Sequence, residues 1–187
     1  DGFQMGVYAR AFDAAGVPFG PEFQVATQWQ QSQWEPYATA RPGGGWVIGW
    51  TGNDSGRTYA RLFDPSGAPL TPELHVAAGT NLQQLDPVPA VARDGKIFFA
   101  WLDFGGKAGL GPGPGIFGRL FDAAGVPLTG EFQVNTTNPG EQREPKTAAD
   151  GLGRFVAVWE DRQGDAQGID IHARRYAADG TPLGPEF

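Results

Sequence analysis

Apolar residues occur along the chain in short runs that turn-forming residues separate at close intervals. The most apolar runs each end in tryptophan and span Trp46–Trp50, Ile97–Trp101 and Phe155–Trp159. Other segments alternate apolar and polar residues with a period of two, as in Tyr8-Ala-Arg-Ala-Phe12. Alternation of this kind is typical of half-buried strands, and short runs bounded by Gly and Pro are typical of strands rather than helices. The pattern therefore predicts an all-β chain.

Three short phrases within the strand pattern each occur four times along the chain. An arginine stands at the centre of one shared phrase, and successive arginines are 51, 58 and 55 residues apart. The four are Arg10, Arg61, Arg119 and Arg174. A Gly-x-Pro turn and a glutamate follow each arginine in the same register, and the glutamates are Glu22, Glu73, Glu131 and Glu186. Self-similarity at this period is typical of propeller blades and other repeat architectures.

Each repeat contains four predicted strands, which we label a to d. Strand a follows an acidic-Pro pair, strand b is the run that ends in tryptophan, strand c carries the arginine, and strand d follows the Gly-x-Pro turn. One repeat array is expected over 1–187, with a half blade (strands c and d) at 1–25 and blades at 35–76, 86–134 and 144–187.

The predicted fold is a β-propeller type of four-stranded antiparallel blades in tandem, about 3.5 repeats of 51–58 residues. Closed propellers usually have about 4–8 blades, so we expect an incomplete ring. Flanking repeats, or association of copies into a homo-oligomer, would complete it. A β-solenoid or a row of separate sheets is the structural alternative.

Composition narrows the classes of partner. The 187 residues carry a net charge of −7 and a sequence pI near 4.7, which argues against nucleic acid, because a phosphate backbone requires a basic surface. The chain has no cysteine, so neither disulfides nor thiolate metal sites are expected. No apolar stretch approaches the roughly 18 residues of a membrane helix.

Several repeated residues are predicted to serve the scaffold. Trp50, Trp101 and Trp159 recur at one strand position, which favours packing in the core or between blades. Asp13, Asp64 and Asp122 are expected to form the turn before strand d, since Asp side chains accept hydrogen bonds from turn amides, whereas Ala177 replaces this aspartate in the fourth copy. The arginines are expected to pair with a repeated carboxylate of the Glu22 or the Glu35 series.

The d-to-a and b-to-c loops are longer than the other turns and vary between copies, and function tends to lie on variable loops held by a rigid frame. Aromatic and amide side chains in these loops suit stacking on sugar rings and hydrogen bonding to hydroxyls. The candidate ligand-binding residues are Trp29, Gln30, Gln33, Trp34, Asp54, Asp103 and Gln142. The alternatives are that the tryptophans pack between blades and that Gln33 and Gln142 make structural hydrogen bonds.

Calcium is the metal that the loops would suit best. Asp161, Asp165 and Asp170 lie in or beside one loop, and calcium takes six to eight oxygen ligands. Otherwise no cofactor is expected.

Catalysis receives little support from motifs, because the chain has no Gly-x-Ser-x-Gly sequence and no cysteine nucleophile. Glycosidases need two carboxylates facing one cleft. Glu160 and Asp161 with Asp54 or Asp103 are candidates for such a cleft near a ring axis, but no copy has an acidic cluster that the others lack. We therefore expect no catalytic residues.

The third and fourth units contain Glu131-Phe-Gln-Val-Asn-Thr136, Arg154-Phe-Val-Ala-Val-Trp159 and Gly180-Thr-Pro-Leu-Gly-Pro-Glu-Phe187. This phrasing resembles bacterial tandem repeats of large secreted and surface proteins, including adhesin-like and RTX-type proteins. The resemblance implies a propeller-like fold and an extracellular or cell-surface location, and it assigns no catalytic residue.

The sequence thus predicts a non-enzymatic extracellular binding or adhesion module whose ligand is a glycan or a surface protein. One alternative is a structural or self-assembling repeat that makes protein–protein contacts. The other is a fragment of a propeller glycoside hydrolase.

Overall fold

A computed structural model describes residues 5–27, 32–52, 56–79, 83–105, 114–136, 141–162 and 168–187. Within these ranges the regular structure is entirely β, which confirms the predicted class. No helix in the described part of the chain is long and apolar enough to span a membrane.

The strands of the described residues are numbered in chain order. They are β1 Tyr8–Ala9, β2 Phe23–Gln24, β3 Gln33–Ala40, β4 Trp46–Gly52, β5 Arg57–Phe63, β6 Leu74–His75, β7 Gln84–Val91, β8 Ile97–Asp103, β9 Gly115–Phe121, β10 Phe132–Gln133, β11 Glu141–Ala149, β12 Phe155–Arg162 and β13 Asp170–Tyr176.

These strands form antiparallel sheets in sequence order: β1-β2, β3-β4-β5-β6, β7-β8-β9-β10 and β11-β12-β13. In the last sheet the predicted fourth strand pairs through Phe187, which exchanges two backbone hydrogen bonds with Ala173 at 2.9 and 3.0 Å, and through the amide of Leu183, which donates to the carbonyl of Arg175 at 2.9 Å. The sheets are blades of a β-propeller whose ring is incomplete, as predicted.

The first strand of each full blade lies at a sheet edge, and these edge strands contact one another from blade to blade, β3 against β7 and β7 against β11. They therefore line the inner side of the ring. Side chains from three blades therefore converge there.

Apolar side chains fill the spaces between blades. Trp101 and Phe99 of β8 pack against Val47 and Leu62 of the preceding blade in one buried cluster. Trp50, Trp101 and Trp159 are each at most 2% exposed, which confirms their predicted place in the core.

The predicted turns also form. Asp13 Oδ1 accepts hydrogen bonds from the amides of Ala15 and Val17 at 2.9 and 2.8 Å, and Asp64 and Asp122 repeat the arrangement. Glycine is required at the fourth turn position, where Gly16 has φ of 77°.

The repeated arginines differ from the prediction. Arg61, Arg119 and Arg174 reach back to the preceding blade, where each Nη1 donates to a valine carbonyl at 3.2, 3.4 and 3.1 Å. The expectation that they pair with the Glu22 or Glu35 series is wrong, because a main-chain carbonyl of the neighbouring blade lies within reach of the guanidinium.

Glutamates on or just before strand d also reach back one blade. Glu73 accepts hydrogen bonds from the amide and hydroxyl of Thr27, the latter at 2.7 Å. Glu131 accepts from the amide of Ala78, and Glu186 from the amide of Thr136 at 2.7 Å. We call Glu73, Glu131 and Glu186 the outer carboxylates.

Candidate active site

The acidic-Pro pair of each full blade forms a β-bulge on the inner strand. In the first full blade, Trp34 pairs with Thr51 and Tyr37 with Gly49, so two residues, Glu35 and Pro36, lie opposite one. Asp86-Pro87 on β7 and Glu144-Pro145 on β11 repeat this register shift. Bulges re-aim side chains and are common beside active sites.

The acidic residue of each bulge has a left-handed backbone. The φ angles of Glu35, Asp86 and Glu144 are 53°, 57° and 50°, a region that non-glycine residues rarely adopt. Such a conformation costs on the order of 1–3 kcal/mol per residue. This conformation occurs at three positions, and each of them places a carboxylate on the inner side of the ring. We call Glu35, Asp86 and Glu144 the axial carboxylates.

The side chains of the first two axial carboxylates interact, and a hydrogen bond between them contributes to the raised pKa of Glu35. Asp86 is 6% exposed, whereas Glu35 and Glu144 are exposed. The amide of Asp86 donates to Thr51 Oγ1 at 3.2 Å, and the Tyr37 hydroxyl donates to Asp86 Oδ1 at 2.9 Å. Thr51 and Tyr37 of the preceding blade thus hold Asp86 in place, and the exposed Glu35 lies next to it.

Burial and like charge act together on Glu35. Its pKa is raised from 4.5 to about 7 by partial burial, by the charge of Asp86 and its hydrogen bond, and by the charge of Glu144, with Lys146 opposing. A carboxyl group that keeps its proton near neutral pH is suited to act as a general acid.

The third axial carboxylate has a cation beside it. Lys146 Nζ lies 3.3 Å from Glu144 Oε2 and 5.3 Å from the centre of the Tyr37 ring. Glu144 is therefore an exposed carboxylate paired with an ammonium group. The inner strands together present one acid with a raised pKa and one exposed, ion-paired carboxylate on either side of a buried aspartate.

The residues predicted to bind ligand are placed differently from one another. Gln33, Asp103 and Gln142 are at most 5% exposed. Gln84 Nε2 donates to Asp103 at 3.2 Å, and Asn135 Nδ2 donates to Gln142 at 3.2 Å. Trp34 is half-buried on β3, directly before Glu35. Trp29, Gln30 and Asp54 lie outside the described residues, so ligand binding by this set stays a prediction.

Two of the predicted calcium ligands lie opposite each other on adjacent strands. Asp161 is 1% exposed and accepts a hydrogen bond from Gln142 Nε2 at 3.0 Å, while Asp170 lies exposed opposite it on β13. Asp165 lies outside the described residues. Among the residues that are described, no group of three His, Cys, Asp or Glu side chains is placed to hold a metal ion.

Sequence reasoning treated Glu35 and its counterparts as a repeated structural feature and overlooked them as a site. The available signal was their position directly before the proline of strand a, because the innermost strands of successive blades converge. A residue repeated once per blade on that strand forms a cluster in space without forming one in the sequence.

No family model and no curated protein matches the sequence. Solved structures do match the fold. One is an endo-arabinase from Bacteroides thetaiotaomicron, with a TM-score of 0.55, 12% identity, and coverage of 87% of this chain and 66% of that one. Another is an α-L-arabinanase from Penicillium chrysogenum complexed with arabinobiose, with a TM-score of 0.57, 12% identity, and coverage of 95% and 52%.

A GH43 endo-arabinanase from Bacillus licheniformis also matches, with a TM-score of 0.51, 13% identity, and coverage of 89% of this chain and 62% of that one. The chain thus spans about half to two thirds of the length of these structures. At this identity the likeness is one of fold, and it confirms the propeller. It gives no support to adhesin or RTX-type repeats in particular.

The predicted function is corrected by these findings. The expectation of a non-enzymatic binding or adhesion module is wrong, because the solved structures that share the fold include arabinanases. The sequence has no acidic cluster in one copy that the others lack. The axial carboxylates instead form a cluster in space, with one member from each full blade.

Proposed function

We propose that this chain is the carboxylate-bearing part of a β-propeller that hydrolyses glycosidic bonds in a polysaccharide. The observation that carries the proposal is the convergence of Glu35, Asp86 and Glu144 on the inner strands, with the pKa of Glu35 raised to about 7. Glycoside hydrolysis by two carboxylates needs one protonated acid and one ionised partner.

The roles follow from the environment of each group. Glu35 donates its proton to the glycosidic oxygen as the bond to the sugar breaks. Asp86 is buried and hydrogen-bonded to Glu35, so it acts by keeping the proton there. Glu144 is exposed and paired with Lys146, so it serves as the carboxylate that takes a proton from the attacking water.

The substrate class rests on the fold neighbours and on Trp34. Arabinan is the first polysaccharide to test, because arabinanases share the fold. Trp34 directly precedes Glu35 on the inner strand and is half-buried, and an aromatic side chain on that strand suits stacking on a sugar. The proposal includes an extracellular location, supported by the resemblance to repeats of secreted proteins. It also includes completion of the ring by flanking repeats or by further copies.

The test is hydrolysis of arabinan and of 4-nitrophenyl α-L-arabinofuranoside, followed by reducing-end and chromogenic assays. Glu35→Gln keeps the shape of the side chain and removes the acid. We expect it to lower kcat by roughly 100- to 10,000-fold, the usual contribution of general acid catalysis.

Glu22→Gln is the matched control, since Glu22 is exposed, belongs to a different repeated series and lies in the half blade. It should retain wild-type activity. A folded wild-type protein that cleaves neither these substrates nor other plant polysaccharides would refute the proposal. Equal activity of wild type and Glu35→Gln would do so as well.

A further inference from the structure

Each inner strand has an axial carboxylate at the same position. The residue two positions after the carboxylate differs from strand to strand. That residue is Tyr37 on β3, Val88 on β7 and Lys146 on β11. The axial carboxylates therefore occupy equivalent positions with unequal neighbours. The Glu35–Asp86 pair therefore has a neighbour that the other junction lacks.

Tyr37 is directed at the carboxylate of the next blade. Its hydroxyl donates to Asp86 Oδ1 at 2.9 Å. On β7 the equivalent residue is Val88, which has no donor to offer Glu144. The junction between β3 and β7 thus has a hydroxyl donor at a place where the junction between β7 and β11 has an apolar side chain.

Tyr37 is itself held in place. Lys146 Nζ lies 5.3 Å from the ring centre of Tyr37 while it pairs with Glu144, and a cation over an aromatic face is attracted by the ring. Burial and the charges of Asp86, Glu144 and Glu35 raise the pKa of Tyr37. The hydroxyl therefore keeps its proton and stays a donor throughout the neutral range.

We propose that Tyr37 is a positioning residue that keeps Asp86 ionised by hydrogen bonding, so that the proton shared between Asp86 and Glu35 resides on Glu35. A hydrogen bond to the charged form of a carboxylate favours that form. The charged groups facing this pair are Glu35 on β3, Asp86 on β7, and Glu144 and Lys146 on β11. The catalytic meaning of the arrangement rests on the proposed function, whereas the position of the proton does not.

The experiment is a pH titration followed by NMR, with ¹³C at the side-chain carboxyl carbons of glutamate in one sample and of aspartate in another. In the wild-type protein the ionisation near pH 7 should appear in the signal of Glu35, assigned with Glu35→Gln. In Tyr37→Phe the signal of Asp86 should report the ionisation near pH 7 instead. The ionisation of Glu35 should then occur at a pH lower by roughly one unit.

Tyr176→Phe is the matched control, because the Tyr176 hydroxyl donates to a backbone carbonyl, that of Val134 at 3.3 Å, and not to a carboxylate. It should leave the titration of Glu35 unchanged. If Tyr37→Phe does not fold, Asp86→Asn replaces it as the deciding variant. Removing the Asp86 carboxylate should also lower the pKa of Glu35.

The proposal is overturned if Asp86 carries the upper ionisation in the wild-type protein. It is equally overturned if Glu35 titrates near pH 7 regardless of Tyr37→Phe or Asp86→Asn. The titration needs no substrate, so the two proposals can fail separately. A protein that cleaves no glycan but shows the transfer of the proton would refute the proposed function and support this inference.

Discussion

The outer and the axial carboxylates are both repeated once per blade, yet their surroundings are opposite. Glu73, Glu131 and Glu186 each accept hydrogen bonds from the main chain of the preceding blade. Glu35 and Asp86 instead face each other, and the pKa of Glu35 is raised to about 7. Repetition alone therefore does not separate scaffold from site. The kind of partner that each repeated group meets does.

The half blade adds a second contrast. Glu22 and Arg10 have the sequence positions of the outer carboxylates and of the repeated arginines, but both are exposed, and Arg10 Nε donates to Gly20 in its own blade. The same residue types thus occur with and without a preceding blade among the described residues. Matched substitutions at the two places measure what the contact between blades contributes.

The largest effect is expected at the outer carboxylates. Glu131→Ala should lower the free energy of unfolding by about 1–3 kcal/mol, because it leaves the amide of Ala78 without its charged acceptor. Glu22→Ala should stay within about 0.5 kcal/mol of wild type, as exposed substitutions usually do. Urea denaturation measures both free energies of unfolding. Equal losses in the two variants would show that contact with a preceding blade makes no difference.

A smaller difference is expected at the arginines. Arg119 and Arg10 both donate to a carbonyl of their own blade, at 3.1 and 3.3 Å, but only Arg119 also donates to Val76 of the preceding blade, at 3.4 Å. Arg119→Ala should therefore cost about 1 kcal/mol more than Arg10→Ala. Denaturation midpoints that fall together for the two variants would show that the bond between blades contributes nothing.

A further effect should appear in the pH dependence of stability. A carboxyl whose pKa rises from 4.5 to about 7 on folding favours the folded state while it is protonated. Its contribution is fully present below about pH 4.5 and is lost as the pH rises to about 7. Glu35→Gln should remove this part of the decline. Thermal melts between these pH values, with Glu22→Gln as the control, measure the change, and parallel curves for Glu35→Gln and wild type would contradict it.

Much of the fold could be predicted from the sequence because it depends on local patterns. Strand alternation, the Asp-x-x-Gly turns and the tryptophan at the end of strand b are each written within a few residues. The partners of the arginines could not be predicted, since a valine carbonyl of another blade has no sequence signature. Every residue has a backbone carbonyl that can accept a hydrogen bond, so the sequence does not show which carbonyl an arginine will meet. Repeated carboxylates are visible in the sequence and were therefore predicted as the partners.

The site escaped prediction for a related reason. Glu35 and Asp86 are 51 residues apart, and their hydrogen bond arises only because neighbouring inner strands converge. The raised pKa of Glu35 depends on burial and on charges from two other blades. None of these quantities can be estimated before the blades are placed side by side.

The reach of Arg61, Arg119 and Arg174 and of the outer carboxylates runs in one direction only, from each blade to the one before it. The earlier blade contributes carbonyls and amides, which exist as soon as its chain emerges from the ribosome. The later blade brings the side chains that bind them. Through these contacts each new unit can dock on the main chain of its predecessor, so the order of synthesis is also a workable order of folding.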